Sequence, residues 1–88
     1  MQFIALIPSY EPNNKLISIL KDLKKKRFEI VVINDGSNSL YDDIFKDCRK
    51  YAQVLTYSQN RGKGYALKTG LKYIETNYKN CIVVTMDS

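Results

Sequence analysis

Four short segments of the chain carry side chains that can bind a ligand or react, and each segment follows an apolar run. They are residues 8–12 (PSYEP), 34–37 (NDGS), 58–64 (SQNRGKG) and 87–88 (DS). Together they supply an aromatic ring, carboxylates, a lysine and a glycine-rich turn. This combination suits a ligand that has a flat hydrogen-bonding ring and a phosphate, and it therefore points to nucleotide recognition.

The chemistry of each group matches it to one part of such a ligand. Tyr10 offers a flat face for a base, and Asp35 can accept a hydrogen bond from a base N–H or a ribose hydroxyl. Backbone N–H groups at the start of the third predicted helix, together with Lys63, favour a phosphate. Asp87 is a hard oxygen donor of the kind that shares Mg²⁺ or Mn²⁺ with substrate phosphates. Because one carboxylate seldom holds such an ion, we expect a second acid beyond Ser88.

Each of these groups, taken singly, also has a purely structural interpretation. Asp35 can open a turn, and Asp87 can cap a helix. Gly62 and Gly64 can allow a tight turn with close helix packing. Tyr10 can anchor a loop on the core. The functional interpretation is favoured because the groups follow four successive predicted strands.

The apolar runs predict four short strands, over residues 3–7, 30–33, 54–57 and 82–84. Three stretches in which apolar residues have helical spacing lie between them. The resulting β-α-β-α-β-α-β order predicts an α/β, Rossmann-like fold with a parallel sheet and right-handed crossovers. With strand order 3-2-1-4, all four strand ends lie along one edge, where such sheets bind their ligands.

The three predicted helices cover the two faces of this sheet unequally, with the first two on one face and the third alone on the other. Asn13 or Asn14 is predicted to cap the first helix, and Ser39 the second. The third is predicted to begin near Gly64, with an apolar face formed by Leu67, Leu71, Ile74 and Tyr78. The fourth strand is left as an open edge, which predicts self-association by edge pairing or swapping.

The composition sets the class of protein. Eighty-eight residues make one small domain, with 44% hydrophobic and 26% charged residues and a net charge of +5 that suits anionic partners. We expect no nucleic-acid binding, because the one basic run, residues 24–27, ends a helix and has no interleaved aromatic residues. Cys48 and Cys81 have no metal-ligand spacing, which favours a reducing, cytoplasmic location. The apolar run at residues 3–7 is too short to span a membrane.

Four motifs in this order resemble the N-terminal half of a family 2 glycosyltransferase, an inverting GT-A enzyme that uses nucleotide-sugar donors. They are residues 7–10 (IPSY), 31–37 (VVINDGS), 60–70 (NRGKGYALKTG) and 84–88 (VTMDS), the last similar to the first half of an Asp-x-Asp motif. The resemblance covers essentially the whole chain. Residues 62–67 and 85–88 are also similar to the corresponding segments of polyprenyl-phosphate or dolichyl-phosphate sugar synthases.

The resemblance implies a role for each matching residue. Pro8 and Tyr10 would border the base, with Tyr10 stacked on it. Asp35 would bind the base edge, which is uracil in many members of the family. Lys63 and its flanking glycines, Gly62 and Gly64, would lie near the nucleotide, and Asp87 would contact the ribose or the metal.

Glu11 is a further candidate for nucleotide binding. The family often has Tyr-Asn-Glu where this chain has Tyr10-Glu11-Pro12. The acid of the family motif therefore falls on Pro12, and an acidic ribose contact would have to come from Glu11 instead.

The implied reaction transfers a sugar, with inversion, from a nucleoside diphosphate to an acceptor hydroxyl, and UDP is favoured over GDP. The resemblance places the second metal-binding acid, the acceptor subdomain and the catalytic base beyond Ser88. Residues 1–88 are accordingly expected to be the nucleotide-sugar-binding part of a glycosyltransferase domain, incomplete at the C-terminus, with no catalytic residue and no activity alone. The parent protein could work at the cytoplasmic face of a membrane.

Two other classes of protein stay open on the sequence. A nucleotidyltransferase with a similar α/β half usually has a glycine-rich, basic loop directly after its first strand, and residues 8–12 contain no glycine there. A non-catalytic nucleotide-binding or regulatory module would share the nucleotide-binding residues. Nucleotide titrations separate these possibilities.

Overall fold

A computed structural model describes residues 1–87 of the chain. Four strands alternate with three α-helices, and a short 3₁₀ turn precedes the second helix. The strands are β1 (Gln2–Ser9), β2 (Glu29–Asp35), β3 (Gln53–Tyr57) and β4 (Cys81–Thr85). The helices are α1 (Lys15–Lys25), α2 (Asp42–Cys48) and α3 (Lys63–Asn77), and the 3₁₀ turn spans Ser39–Tyr41. Ser88, the last residue of the fourth predicted motif, lies outside the described residues.

The sheet is parallel throughout and has the order β3-β2-β1-β4, which confirms the predicted topology. β1 and β2 lie in the centre, and their runs of buried apolar residues are those of strands covered on both faces. Because all strands run the same way, the loops after β1, β2 and β3 and the segment after β4 meet at one edge of the sheet.

Each face of the sheet has its own hydrophobic core. On one face, Leu16 and Leu20 of α1 and Phe45 and Cys48 of α2 pack against alternate residues of the strands. On the other face, Ala66 and Ile74 of α3 pack against the intervening strand residues. This distribution confirms that α1 and α2 share a face and that α3 covers the other.

The helix N-termini differ in part from the sequence prediction. Of the two candidates for α1, Asn13 supplies the side chain, whose Oδ1 accepts a hydrogen bond from Lys15 N at 2.9 Å. Ser39 was the wrong residue for the second helix, because Asn38 Oδ1 accepts a hydrogen bond from Leu40 N at 3.0 Å and starts the 3₁₀ turn one residue earlier. Asn is at least as good an N-cap as Ser, so the local chemistry allowed both.

The face that α3 turns to the sheet was predicted correctly for Ile74, Leu67 and Tyr78, which pack in the core of that face, and wrongly for Leu71. Its buried residues are Ala66, Gly70 and Ile74, whereas Leu71 is 46% exposed. A Cβ atom at Gly70 would lie 2.2 Å from Leu6 Cδ1, so the absence of a side chain at this position lets the helix approach β1 closely. Ala66, Gly70 and Ile74 therefore face the sheet, and Leu67 and Tyr78 pack at the margin of the same contact.

β4 is the least covered strand of the sheet. Within residues 1–87 it pairs only with β1, and Ile82 and Val84 remain 43% and 38% exposed. Phe3, opposite Ile82 in the register, is 46% exposed on the same side. The predicted open edge is therefore present, with an apolar patch beside it.

Candidate functional site

A cleft of about 420 Å³ lies at the carboxyl edge of the sheet. Residues from the ends of β1 and β2, from the loop after β3, from the start of α3 and from the segment after β4 surround it. They are Pro8, Ser9, Tyr10, Asp35, Asn60, Gly62, Lys63 and Asp87. Five of the six predicted nucleotide-binding residues therefore meet at one site. Glu11 is the exception, because it lines a neighbouring depression beside α1.

Asp35, the last residue of β2, is the most buried acid at the site, with 4% of its surface exposed. Its carboxylate accepts three hydrogen bonds from the loop after β3. Oδ1 accepts from Arg61 N at 2.9 Å, and Oδ2 accepts from Gly62 N at 3.0 Å and from Asn60 Nδ2 at 3.0 Å. Asp35 thus fixes the backbone that leads into α3.

These bonds leave Asp35 with little capacity for a ligand. A carboxylate has about four acceptor positions, two on each oxygen. Among the described residues, both positions of Oδ2 and one position of Oδ1 are taken. The second position of Oδ1 accepts no hydrogen bond from the loop, and the buried Tyr57 hydroxyl lies close enough to the Asp35 carboxylate to interact with it.

The backbone at Gly36 makes this arrangement possible. Gly36 has φ +66°, and a Cβ atom there would lie 2.1 Å from Asn60 N and 2.2 Å from the Gln59 carbonyl carbon. The turn after β2 and the loop after β3 therefore touch backbone to backbone, at a place where only glycine fits.

The loop after β1 is tied to the turn after β2 by a second set of contacts. Glu11 N donates to Ser37 Oγ at 2.9 Å, and Ser37 N donates to Asn34 Oδ1 at 3.1 Å. Asn34 is itself 5% exposed. Three consecutive strand-end loops are in this way joined into one wall of the cleft.

The first of these loops presents Tyr10 at the mouth of the cleft. The ring is 51% exposed, so one side of it is accessible to a ligand. The Glu11 carboxylate is the main cause of a raised pKa of the Tyr10 phenol, which keeps the ring neutral. Glu11 has φ +46°, in the left-handed region that non-glycine residues seldom adopt, and its carboxylate stays close enough to the Tyr10 hydroxyl to interact with it.

Lys63 and Asp87 face each other across the open side of the cleft. The Lys63 ammonium forms an ion pair with the Asp87 carboxylate, and the two side chains are 60% and 78% exposed. Lys63 is also the first residue of α3, directly after Gly62 at φ +91°. A cation and the N-terminal N–H groups of a helix therefore lie together, an arrangement that attracts anions.

Tyr57 lies beneath the site, at the end of β3. Burial, together with the nearby Asp35 carboxylate, raises the pKa of its phenol. The hydroxyl oxygen is buried close to the Asp35 carboxylate and makes no hydrogen bond shorter than 3.5 Å within residues 1–87. Its ring packs edge-on against the Tyr65 ring, with centroids 5.2 Å apart, and so supports the first turn of α3 from below.

The site has only part of what a divalent cation needs. No group of three or more His, Cys, Asp or Glu within residues 1–87 could hold a metal ion. Asp35 is already bound to the loop, which leaves Asp87 as the carboxylate of the cleft that can still act as a ligand. The Asp87 carboxylate already attracts a cation, because it forms an ion pair with the Lys63 ammonium. Since Mg²⁺ often uses one or two carboxylates together with substrate phosphates, Asp87 fits as one such ligand.

Sequence reasoning gave no role to Ser9 and Asn60, which line the cleft, and it placed Gly62 near the nucleotide only as a neighbour of Lys63. Ser9 is buried at the end of β1. Asn60 and Gly62 belong to the glycine-rich motif, but their contacts with Asp35 join positions 25 and 27 residues apart. The motif predicted that the loop belongs to the site, and only the fold shows that the loop binds the Asp35 carboxylate.

Comparison with known proteins agrees with this geometry. The sequence model of glycosyl transferase family 2 matches residues 5–88, nearly the full chain. The dolichyl-phosphate beta-glucosyltransferase of Saccharomyces cerevisiae is 33% identical over 89 residues, covering 84% of this chain and 27% of its own length. The human protein of the same name is 31% identical and covers 80% of this chain and 26% of its own length.

Relatives of unknown function cover still more of the chain. An uncharacterized protein of Methanocaldococcus jannaschii is 31% identical over 88 residues, which is 96% of this chain and 38% of its own length. The chain thus spans between about a quarter and two fifths of the length of these relatives. Within residues 1–87, no helix is both long and apolar enough to cross a membrane.

Proposed function

Since the chain belongs to glycosyl transferase family 2, we propose that its cleft binds the nucleoside diphosphate of a sugar donor, and that the base is uracil rather than guanine. The observation that carries this proposal is the convergence of Tyr10, Asp35, Lys63 and Asp87 on one cleft at the carboxyl edge of a parallel sheet. The positions match the parts of a nucleotide: a ring at the mouth, a buried acceptor inside and a cation at the opposite side.

The hydrogen bonds that the Asp35 carboxylate already accepts favour uracil over guanine as the bound base. Uracil presents one N–H donor between two carbonyl oxygens, and guanine presents two adjacent donors on the corresponding edge. The acceptor position on Asp35 Oδ1 that no group of the loop occupies suits one donor. Tyr10 would stack on the base, and Pro8 would border it.

The diphosphate would lie toward α3. Lys63 and the N–H groups of the first turn of the helix offer it positive charge. We propose that Asp87 leaves Lys63 and binds Mg²⁺ or Mn²⁺ together with the phosphates, with a second acid supplied from beyond Ser88. When bound, the metal would neutralise charge on the leaving diphosphate. Glu11 remains a candidate ribose contact, from the depression beside the cleft.

The whole protein would use this site for glycosyl transfer. An acceptor oxygen would attack the anomeric carbon, the bond from that carbon to the diphosphate would break, and the configuration would invert. A carboxylate outside residues 1–88 would take the proton when the acceptor is a hydroxyl. The names of the yeast and human relatives favour a lipid phosphate acceptor. We propose that the whole protein works at the cytoplasmic face of a membrane. We propose no transferase activity for these 88 residues alone.

Two further properties belong to this proposal. The two free cysteines, of which Cys48 is buried, favour the reducing cytoplasm. The exposed edge of β4, with Ile82 and Val84, favours self-association of the chain when nothing else covers that edge.

Isothermal calorimetry with UDP and GDP in the presence of Mn²⁺ tests the proposal. We expect the chain to bind UDP in preference to GDP. Asp35→Ala should weaken UDP binding, because it removes the acceptor and releases the loop. Absence of UDP binding at millimolar concentrations, in a chain shown by circular dichroism to be folded, would contradict the proposed nucleotide site.

A further inference from the structure

We propose that Asn60 determines base specificity by occupying the acceptor position on Asp35 that a guanine would need. This inference rests on the proposed nucleotide function and adds to it a residue that selects the base without contacting it. Asn60 acts through Asp35, and it is therefore a positioning residue.

The contacts of Asn60 define its role. Its Nδ2 lies 3.0 Å from Asp35 Oδ2 and 3.2 Å from the Asp35 backbone oxygen. Both partners can only accept, so the amide must present its nitrogen to them. The side chain is thus oriented by two bonds to one residue. The backbone of Asn60 is held in addition by its close approach to Gly36.

The distribution of these bonds over the two carboxylate oxygens matters. Oδ2 accepts from Asn60 Nδ2 and from Gly62 N, and is full. Oδ1 accepts from Arg61 N, and its second position takes no donor from the loop, the Tyr57 hydroxyl being the other group close to this carboxylate. Two adjacent donors, such as those on the guanine edge, bind a carboxylate best with one donor on each oxygen. Asn60 occupies the position on Oδ2 that the second guanine donor would need, whereas a base with one N–H can still donate to Oδ1.

Removal of Asn60 alone should therefore change which base is accepted. In Asn60→Ala, Oδ2 keeps the Gly62 bond and regains one acceptor position, so each oxygen has one position for a ligand. The backbone bonds from Arg61 and Gly62 stay in place. The variant changes the acceptor pattern of Asp35 without changing its charge.

The test compares the dissociation constants of UDP and GDP, with Mn²⁺ present, for the unmodified chain and for Asn60→Ala. We expect the preference for UDP over GDP to fall roughly tenfold, the effect of one additional hydrogen bond to a charged group. A loosened loop would instead weaken both nucleotides alike and leave their ratio unchanged. The ratio therefore separates specificity from structural damage.

Gln59→Ala is the matched control. Gln59 is the preceding exposed residue, and its side chain bonds the Arg61 guanidinium at 3.4 Å without contacting Asp35. We expect its UDP to GDP ratio to equal that of the unmodified chain. If the unmodified chain binds UDP and the UDP to GDP ratio is unchanged in Asn60→Ala, the proposed role of Asn60 is overturned, while the proposed nucleotide site is still supported. Failure of the unmodified chain to bind either nucleotide would overturn the proposed function and this inference with it.

Discussion

Gly36 and the backbone nitrogen of Asn60 lie so close together that a Cβ atom at position 36 would be 2.1 Å from that nitrogen. Side chains cannot relieve this contact, because both partners are backbone. The approach brings the turn after β2 against the loop after β3, and the Asp35 carboxylate then binds that loop through three hydrogen bonds. The geometry of the cleft depends on this pair.

Gly36→Ala should therefore lower the free energy of unfolding substantially. Overpacking against backbone and the positive φ together should cost about 2–4 kcal/mol. Urea unfolding followed by circular dichroism measures the loss. Gly36→Asn separates the two causes, since Asn tolerates positive φ better but brings the same Cβ. Full stability in Gly36→Asn would show that backbone strain, and not the contact with Asn60, excludes other residues.

Two glycines of α3 should respond in opposite ways to alanine. At Gly64 a Cβ atom would meet nothing within 4 Å, so Gly64→Ala should stabilise the helix by about 0.5–1 kcal/mol. At Gly70 it would lie 2.2 Å from Leu6 Cδ1, and Leu6 is fully buried. Gly70→Ala should therefore destabilise the protein by about 1–3 kcal/mol despite the better helix propensity of alanine. Thermal unfolding of the two variants side by side measures this contrast, and equal stabilisation would mean that α3 does not pack closely on β1.

Tyr10→Ala should weaken UDP binding by about tenfold or more, because stacking on an aromatic ring contributes strongly to the binding of a base. Glu11→Gln tests the neighbouring acid, which lines the adjacent depression and interacts with the Tyr10 hydroxyl, and we expect a smaller loss from it. Calorimetric titration with UDP measures both variants. If Glu11→Gln loses more affinity for UDP than Tyr10→Ala does, the nucleotide is held by the Glu11 carboxylate and not by the Tyr10 ring.

Lys63→Met should affect ligand binding much more than folding. The Lys63–Asp87 ion pair is largely exposed and contributes less than about 1 kcal/mol to stability. The same ammonium would contact the diphosphate, so affinity for UDP should fall while affinity for uridine stays the same. Equal weakening of UDP and uridine would indicate that Lys63 acts on the base or on the fold and not on the phosphates.

The topology and most of the site follow from the sequence for a clear physical reason. Alternating strands and helices impose a parallel sheet, and a parallel sheet brings its strand ends to one edge. Once Tyr10, Asp35, Lys63 and Asp87 had been placed at strand ends, their convergence followed. Glu11 was assigned to the same site from the motif, but its left-handed backbone turns it to the next depression.

The remaining features depend on contacts between distant parts of the chain. The hydrogen bonds between Asp35 and the loop that contains Asn60 form only because the turn after β2 touches the loop after β3. No local sequence pattern indicates that these two segments are in contact. The buried face of α3 follows from close packing at Gly70, which a search for large apolar residues overlooks. The cap at Asn38 instead of Ser39 is a choice between neighbouring residues of similar capping strength.

An NMR titration of the isotope-labelled chain with UDP, in the presence of Mg²⁺, tests the central claim most directly. We predict saturable shifts of the backbone amides of Tyr10, Arg61, Gly62 and Lys63, with residues of α2 unchanged, and weaker shifts at equal concentrations of GDP. Amide shifts confined to surfaces away from this cleft, or none with UDP at millimolar concentration, would contradict the proposal that these strand ends hold a uridine nucleotide.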